Sequence, residues 1–270
     1  NLMTVGSEYK IACLAFFGDI LLYAGSTNTV TNPVTGIPFS PDHLVLCGCE
    51  VLDAGVQGAG LFGFGVASRR PRLAQGSRSF YWKGAAAAGA EDQRGYVSNT
   101  YAWGALSTIL VDVAQITSFT EDGWNQATFS IGLDFNYLAF SYPTKMPLDG
   151  GTKVWQSGTA VAGNPWTVSG VLSTPFFSIG TFGRIVTLDS VTTATSRECY
   201  GIGFIDESGN EYCAAIQCSI GSLVASSKMA ARFCDVERIS GTGTKRLALE
   251  WASFADGGMT YNFLDANAPA

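Results

Sequence analysis

The sequence is poor in charged residues, which make up 14% of its 270 residues, against roughly 25% in an ordinary soluble domain. The formal net charge is −6, which argues against a general electrostatic hold on nucleic acid. A surface poor in charge but rich in Gly, Ser, Thr and aromatic residues suits a protein that lies against neighbouring chains. The alternative is an ordinary β-protein, because every such chain needs many turns.

Histidine is almost absent, and His43 is the single copy. A Ser-His-Asp triad would have to use it, yet neither a Gly-x-Ser-x-Gly elbow nor an activated-cysteine signature accompanies it. One histidine also removes most types of transition-metal site. We therefore expect no enzyme, no cofactor and no metal site, with His43 acting as a turn or packing residue where an apolar strand begins.

The carboxylate pairs do not change this expectation. Glu121-Asp122 and Asp206-Glu207 lie in segments that have the composition of hairpin turns. Neighbours along a strand point to opposite faces, so such pairs do not by themselves make the two-carboxylate site of a glycosidase. A calcium ion bound by the oxygens of the 206–210 loop is the alternative to a solvated turn.

Long apolar runs and helical periodicity are also missing. No run is long enough to span a bilayer, and only the segments 85–88 and 226–232 favour a helix. Runs of β-branched and aromatic residues alternate instead with Gly, Pro, Asn and Asp. Short strands at regular spacing predict an all-β sandwich or barrel, with strands at 44–52, 61–67, 105–116, 127–141, 181–188, 200–205, 212–220 and 246–254.

An internal repeat is the most informative feature of the sequence. The segment 34–41 (VTGIPFSP) matches 168–175 (VSGVLSTP), and 61–66 (LFGFGV) matches 199–204 (CYGIGF). Further along, 110–113 matches 233–236, while 128–131 and 136–138 correspond to 249–251 and 260–264. We interpret these four landmarks as two tandem antiparallel β-sandwich domains, jelly-roll-like and related by the repeat. The predicted bounds are 34–145 and 146–270, preceded by an N-terminal strand or arm at 1–33.

The seven cysteines are an odd number, so at least one is unpaired within the chain. Cys47 and Cys49 are two residues apart, which places both thiols on one face of a strand. Buried thiols are favoured, because cysteine behaves as a small hydrophobe, and disulfides, including bonds to a neighbouring subunit, are the alternative.

The repeat resembles a β-sandwich repeat found in virion proteins of tailed bacteriophages. In that pattern a Val-Thr-Gly phrase precedes an apolar strand, a Gly-Phe-Gly strand follows, and a Ser-Phe-x-x-Asp-Gly phrase leads to an ending in Tyr-Leu-Ala. This chain has VTG at 34–36, FGFGVA at 62–67, TSFTEDGW at 117–124 and YLA at 137–139. The match covers most of 34–142 and, more weakly, 160–265, where Gly241-Thr242-Gly243 replaces the Phe-x-x-Asp-Gly phrase.

The resemblance implies a structural part of the virion, namely a head decoration, fibre, collar or tail component, with no catalytic residue. Its partners would be copies of itself and other virion proteins. A glycan-binding module of a receptor-binding fibre is the alternative function, with a host-surface glycan as partner, and a carbohydrate-active enzyme is a third hypothesis.

Two groups of residues are candidates for contacts with such partners. The single basic cluster follows the Gly-Phe-Gly strand and comprises Arg69, Arg70, Arg72 and Arg78; arginine favours forked pairing with carboxylates of a neighbour, and a solvated hairpin end is the alternative. Trp82 and Trp103 lie next to loop-like segments and are candidates for interface or core packing, with stacking on a sugar as the alternative. Trp124 and Trp251 match apolar positions of the repeat and are predicted to lie in the core.

Overall fold

The computed structural model describes residues 20–51, 59–69, 73–83, 92–106, 110–127, 132–141, 165–169, 174–175, 177–183, 191–193, 198–218, 225–240 and 243–264. Throughout these ranges the chain forms strands, turns and irregular connections, and no helix. The prediction of an all-β fold is therefore confirmed for the described residues. None of these ranges contains a helix with the length and apolar character needed to cross a bilayer.

Successive side chains of a β-strand point to opposite faces of its sheet. In chain order the strands are β1 Leu21–Asn28, β2 His43–Val51, β3 Ala59–Ser68, β4 Ala74–Lys83, β5 Asp92–Ser98, β6 Trp103–Leu106, β7 Leu110–Phe119, β8 Trp124–Ala127, β9 Asp134–Ser141, β10 Pro165–Ser169, β11 Phe177–Gly183, β12 Thr192–Thr193, β13 Glu198–Asp206, β14 Glu211–Cys218, β15 Ala225–Ala230, β16 Cys234–Ser240, β17 Gly243–Ala255 and β18 Gly258–Phe263.

The strands form several antiparallel sheets. The largest has seven strands in the order β1-β9-β2-β3-β4-β5-β12, and β6-β7-β8 form a three-stranded sheet. Two four-stranded sheets have the orders β11-β13-β14-β15 and β10-β18-β17-β16. The short strand β12 comes late in the chain but pairs with β5, so Thr192 lies opposite Gly95 at one edge of the seven-stranded sheet.

Three layers of apolar side chains lie between these sheets. One cluster includes Leu46 and Leu61 of the seven-stranded sheet together with Trp103 and Trp124 of the three-stranded sheet. A second lies between the two four-stranded sheets and is built from Phe182, Ile205, Cys213, Ala215, Phe233, Cys234, Leu249, Tyr261 and Phe263. The third joins the opposite face of the seven-stranded sheet to the sheet of β13 through Phe64, Phe80 and Tyr200, with partly buried neighbours around them.

The central strands of the seven-stranded sheet are thus buried on both faces. In β3, Leu61 and Ala67 belong to the first cluster, while Phe62, Phe64 and Val66 belong to the third. Such two-sided burial produces a nearly continuous apolar run in the sequence, and this is the pattern of the 61–67 segment.

The same close backbone approach occurs in both halves of the chain. A Cβ added to Gly65 would overlap the carbonyl oxygen of Ala102 and lie 2.7 Å from its carbon. A Cβ added to Gly203 would overlap the carbonyl oxygen of Phe233 and lie 2.9 Å from its carbon. Glycine is required at both positions because another chain segment passes directly over the strand.

A second shared detail is a side chain that binds the backbone of a bulged strand. The Gln75 side chain accepts a hydrogen bond from Ile116 N (2.9 Å) and donates one to Ile116 O (3.1 Å). Glu211 Oε2 accepts hydrogen bonds from Trp251 N (2.8 Å) and Phe233 N (2.9 Å). Ile116 and Trp251 each lie at a β-bulge, because the ladder shifts register after Ile116 in β7 and after Trp251 in β17.

A third shared detail joins the Val-Thr-Gly and Val-Ser-Gly phrases to the hairpins. Val34 and Trp124 exchange two backbone hydrogen bonds of 3.0 Å at the start of β8. Val168 in β10 lies opposite Met259 in β18. In each phrase, therefore, the valine pairs with the strand that directly follows a bulged strand.

Two strand predictions and one helix-friendly segment were wrong in detail. The predicted strand at 105–116 is divided between β6 and β7, and that at 127–141 between β8 and β9. The helix-friendly segment 226–232 begins in a strand, because β15 pairs with β14 along Cys213–Cys218. Pairing with a neighbouring strand has overridden a weak local propensity there. Of the predicted strand 181–188, residues 184–188 lie outside the described residues.

Candidate assembly surfaces

The basic cluster is not a single surface in the described residues. Arg69 is a structural residue: its guanidinium forms an ion pair with Asp42 (2.8 Å) and donates to Ser40 Oγ (2.8 Å). Arg78 lies in β4, near Tyr200 and the third apolar cluster. Burial raises the pKa of Tyr200, and the Arg78 guanidinium opposes this shift. Arg70 and Arg72 lie outside the described residues, so their partner contacts stay a prediction.

The two candidate tryptophans lie in different environments. Trp103 is 1% exposed and stacks on Phe135 with ring centroids 5.2 Å apart. Its indole has no surface for a glycan or a neighbouring chain, and it packs in the core. Trp82 is partly buried and stacks on Phe80 with centroids 5.8 Å apart in the third apolar cluster.

The room for Trp103 comes from the glycines opposite it. A Cβ on Gly48 would lie 2.9 Å from the indole, and one on Gly63 would lie 2.6 Å from it. The Gly-Phe-Gly strand therefore accommodates a large side chain of the facing sheet, because a glycine inside a strand permits such a close approach.

The single histidine lies inside the sheet. His43 is 3% exposed, begins β2 and packs on Phe140 with ring centroids 5.3 Å apart. Its neighbour Asp42 is bound by the Arg69 guanidinium and by the Ser141 hydroxyl (2.6 Å). The prediction that His43 is a packing residue where a strand begins agrees with this position.

Both predicted hairpin turns are present. Residues 120–123 connect β7 to β8, and residues 207–210 connect β13 to β14. In the second turn the Asp206 carboxylate accepts hydrogen bonds from Ser208 N, Asn210 N and Asn210 Nδ2, each 2.9 Å long. These bonds, the Asn210 side chain first, lower the pKa of Asp206. A calcium ion would compete with these donors for the carboxylate, and no group of three His, Cys, Asp or Glu side chains lies together in the described ranges.

The cysteines of the described residues differ in exposure. Cys213 and Cys234 are buried in the second apolar cluster. Cys47 is partly buried and Cys49 exposed, on strand β2. Burial, and to a lesser extent the nearby Cys49, raises the pKa of the Cys47 thiol.

Strand β1 forms an exposed, uncharged edge. It ends the strand order of the seven-stranded sheet, and its eight residues pair with β9 without a bulge. Its sequence, LLYAGSTN, contains no charge and no proline. Leu21 and Leu22 are each 44% exposed. In the described part of the chain no strand lies beyond β1, so among those residues its outer backbone N–H and C=O groups have no strand partner, which is the arrangement that invites pairing with another chain.

Other edge strands carry features that discourage pairing between chains. Strand β16 contains Asp235, Glu237 and Arg238, β15 contains Lys228, and β10 begins with Pro165. Charges and proline on an edge oppose the addition of another strand. Strand β11 lacks both, but its side chains from 177 to 182 are partly or fully buried. Strand β1 thus combines an uncharged edge with exposed leucines.

A shallow groove is the other surface feature, and the sequence did not predict it. Trp251, expected in the core, packs against the second apolar cluster but is only partly buried. It lines this groove beside Phe254, with ring centroids 5.3 Å apart. The bulge after Trp251 is the signal that was missed, because a bulge redirects the side chains that flank it.

Comparison with known proteins gives no relative for this chain. No family model, no curated protein and no solved structure matches it.

Proposed function

We propose that this chain is a structural component of a bacteriophage virion that acts by self-assembly and by contact with neighbouring virion proteins. The observation that carries the proposal is the β1 edge, where eight uncharged residues with two exposed leucines end a seven-stranded sheet. An unpaired edge of this kind is a template for a strand of another chain. Association through identical edges would give a closed, two-fold contact.

We further propose that the chain consists of two tandem sandwich-like domains that arose by duplication. The sheet of β2 to β5 and the sheet of β11, β13, β14 and β15 have the same sequential order of strands, apart from the added strands of the larger sheet. The close approaches at Gly65 and Gly203 and the backbone bonds of Gln75 and Glu211 support this interpretation. Two related halves in one subunit multiply the edges and loops available for neighbours.

The described residues favour assembly over catalysis. His43 is packed against Phe140 within a sheet, and Asp42 is engaged by Arg69 and Ser141. The low charge of the whole chain is consistent with surfaces that lie against other subunits.

The first test of the proposal is the oligomeric state of the purified chain. We expect light scattering after size-exclusion chromatography to show an oligomer, and a lysine on the edge, Leu22→Lys or Ala24→Lys, to weaken association by about tenfold or more, since like charges would face each other. Asn136→Lys is the matched control, because Asn136 is exposed on β9 in the sheet interior rather than on its edge.

Two outcomes would contradict the proposal. A wild-type chain that stays monomeric at every concentration would exclude self-assembly, as would edge variants that associate as strongly as the Asn136→Lys control. The virion assignment is tested separately by immunogold labelling of purified particles of the phage that encodes the chain, where unlabelled particles would refute it.

A further inference from the structure

The groove beside β17 has both an aromatic and an acidic wall. It is open to solvent, has a volume of about 420 Å³, and is lined by Thr174, Pro175, Glu207, Trp251, Ala252, Ser253 and Phe254. Glu207 is exposed and is the one ionisable side chain among these described residues. The lining therefore combines two aromatic rings with a single negative charge.

The β-bulge brings the two rings to the same side of the strand. In a regular strand, residues three apart point to opposite faces. The register of the β17–β18 ladder shifts between Trp251 and Ser253, which inserts one extra residue, Ala252. Trp251 and Phe254 consequently lie against each other at 5.3 Å, with their ring planes tilted by 58°.

A fixed turn presents the carboxylate of Glu207. Asp206, immediately before it, accepts hydrogen bonds from Ser208 and Asn210, and Asp206 O accepts one from Gly209 N (3.1 Å). Gly209 has a φ of 81°, and a Cβ there would lie 2.6 Å from the indole of Trp251. The turn therefore packs directly on the aromatic wall, so that the indole and the backbone that carries Glu207 are positioned before any ligand arrives.

The corresponding corner of the other half contains a guanidinium of the chain itself. Arg69 follows Gly65 by four residues, as Glu207 follows Gly203, and Ser40 follows Val34 by six, as Thr174 follows Val168. There the Arg69 guanidinium bonds Ser40 Oγ and Asp42, each at 2.8 Å. In the second half a carboxylate stands in place of that arginine, and the groove is open.

We propose that the Trp251 groove binds the guanidinium group of an arginine in a partner polypeptide. A guanidinium stacks on aromatic faces by cation–π attraction and forks onto a carboxylate. Trp251 and Phe254 would contact its plane and stem, and Glu207 would accept its N–H groups. This deepens the proposed function, since a neighbouring subunit is a source of such an arginine, and the chain's own sequence contains Arg70-Pro71-Arg72.

The test uses the full chain and a short peptide, so it does not depend on assembly. The probe is the peptide Ser-Arg-Arg-Pro-Arg-Leu, which is the sequence of residues 68–73, followed by NMR of the tryptophan indole N–H resonances. We expect saturable shifts with a dissociation constant of about 10 mM, which is as tight as one exposed ion pair and one cation–π contact allow. The Leu22→Lys variant weakens self-association if the edge proposal holds, and we expect the same peptide affinity for it.

Two substitutions and two ligands make the result decisive. Glu207→Gln should weaken binding about fivefold and Glu207→Lys should abolish it, whereas Glu250→Gln, an exposed change on the same strand as Trp251, should leave it unchanged. A citrulline peptide keeps the shape of the arginine peptide but not its charge. It should bind more weakly by about fivefold or more, because it cannot form the ion pair with Glu207.

Several results would overturn the proposal. These are equal shifts with the citrulline peptide, unchanged affinity in Glu207→Lys, no saturable shift at all, or tighter binding of neutral hexoses than of the arginine peptide. The last result would assign the groove to a saccharide instead. Assembly through β1 would be unaffected by any of them, so failure of the two proposals is distinguishable.

Discussion

Replacement of Gly203 by alanine tests the close approach that both halves share. The new Cβ would overlap the carbonyl oxygen of Phe233 and lie 2.9 Å from its carbon. Overpacking a core typically destabilises by about 1–3 kcal/mol, and the obstacle here is backbone, which moves less readily than a side chain. Alanine also stabilises by about 0.4–1 kcal/mol through the unfolded state. We therefore expect a net loss of about 2 kcal/mol in the free energy of unfolding.

Thermal unfolding followed by circular dichroism measures this loss. For a cooperative unit of 150–250 residues, 1 kcal/mol lowers the melting temperature by about 2–4 °C, so Gly203→Ala should melt about 4–8 °C below the wild type. Gly104→Ala is the control, because the nearest atoms to its Cβ belong to the flexible side chains of Ser79 and Leu110, at 3.3 and 3.4 Å. A Gly203→Ala variant that melts with the wild type would refute the reasoning.

Two further substitutions probe the buried carboxylates. Asp112 is 2% exposed and accepts hydrogen bonds from the Thr29 hydroxyl, Val113 N (3.0 Å) and Gly132 N (3.1 Å). Asp112→Ala leaves these buried donors unpaired and should lower the free energy of unfolding, measured in urea, by about 3 kcal/mol. A loss below about 1 kcal/mol would contradict this role. Burial raises the pKa of Glu211, so the folded state binds its proton more tightly than the unfolded state does. The stability that this proton contributes is therefore lost as pH rises from about 4.3 through the folded-state pKa. Glu211→Gln should remove that part of the pH dependence while the amide still accepts from Trp251 N, and a stability difference from wild type that is constant with pH would refute it.

Local chemistry explains which parts of the fold were predictable. The turn before β8 contains Asp122-Gly123, and the turn before β14 contains Gly209 at a positive φ with Asp206 bonding its own backbone. Such turns are specified by a few adjacent residues. The close approach of Trp103 to the glycines opposite it was likewise predictable from the sequence, because a glycine inside a strand marks a close approach.

Register and spacing were less predictable, because they depend on distant partners. The internal repeat, as interpreted from the sequence, matched 110–113 with 233–236. In the structure 110–113 begins β7, whereas 234–236 begins β16, which is the strand directly after β15. The two segments therefore have different places in the order of strands. The same interpretation also placed the second Phe-x-x-Asp-Gly phrase at 241–243. Under the proposed duplication, Phe254-Ala255-Asp256-Gly257 is its counterpart, since Phe254 lies opposite Met259 as Phe119 lies opposite Trp124.

The candidate surfaces were likewise predictable from the sequence only in part. The β1 edge could have been suspected from the uncharged run 20–41, but its place at the end of a sheet depends on pairing with β9, more than a hundred residues later. Arg69 seemed free for a partner because Asp42 and Ser40 are distant in sequence from it. The ion pair with Asp42 forms only when β2 and β3 are paired.

The groove shows why one half of the chain informs the other. The prediction that Trp251 lies in the core came from its match to an apolar position of the repeat, and it did not include the bulge, because a bulge cannot be located from a single strand. The bulge lies at the residue whose backbone is bound by Glu211, and in the first half it lies at the residue bound by Gln75. If the scaffold is duplicated, what differs is the corner itself: Arg69 closes it in the first half with the chain's own charge, and Glu207 leaves it open in the second. A charge reversal on an otherwise shared framework is the change that a binding site for an external cation requires.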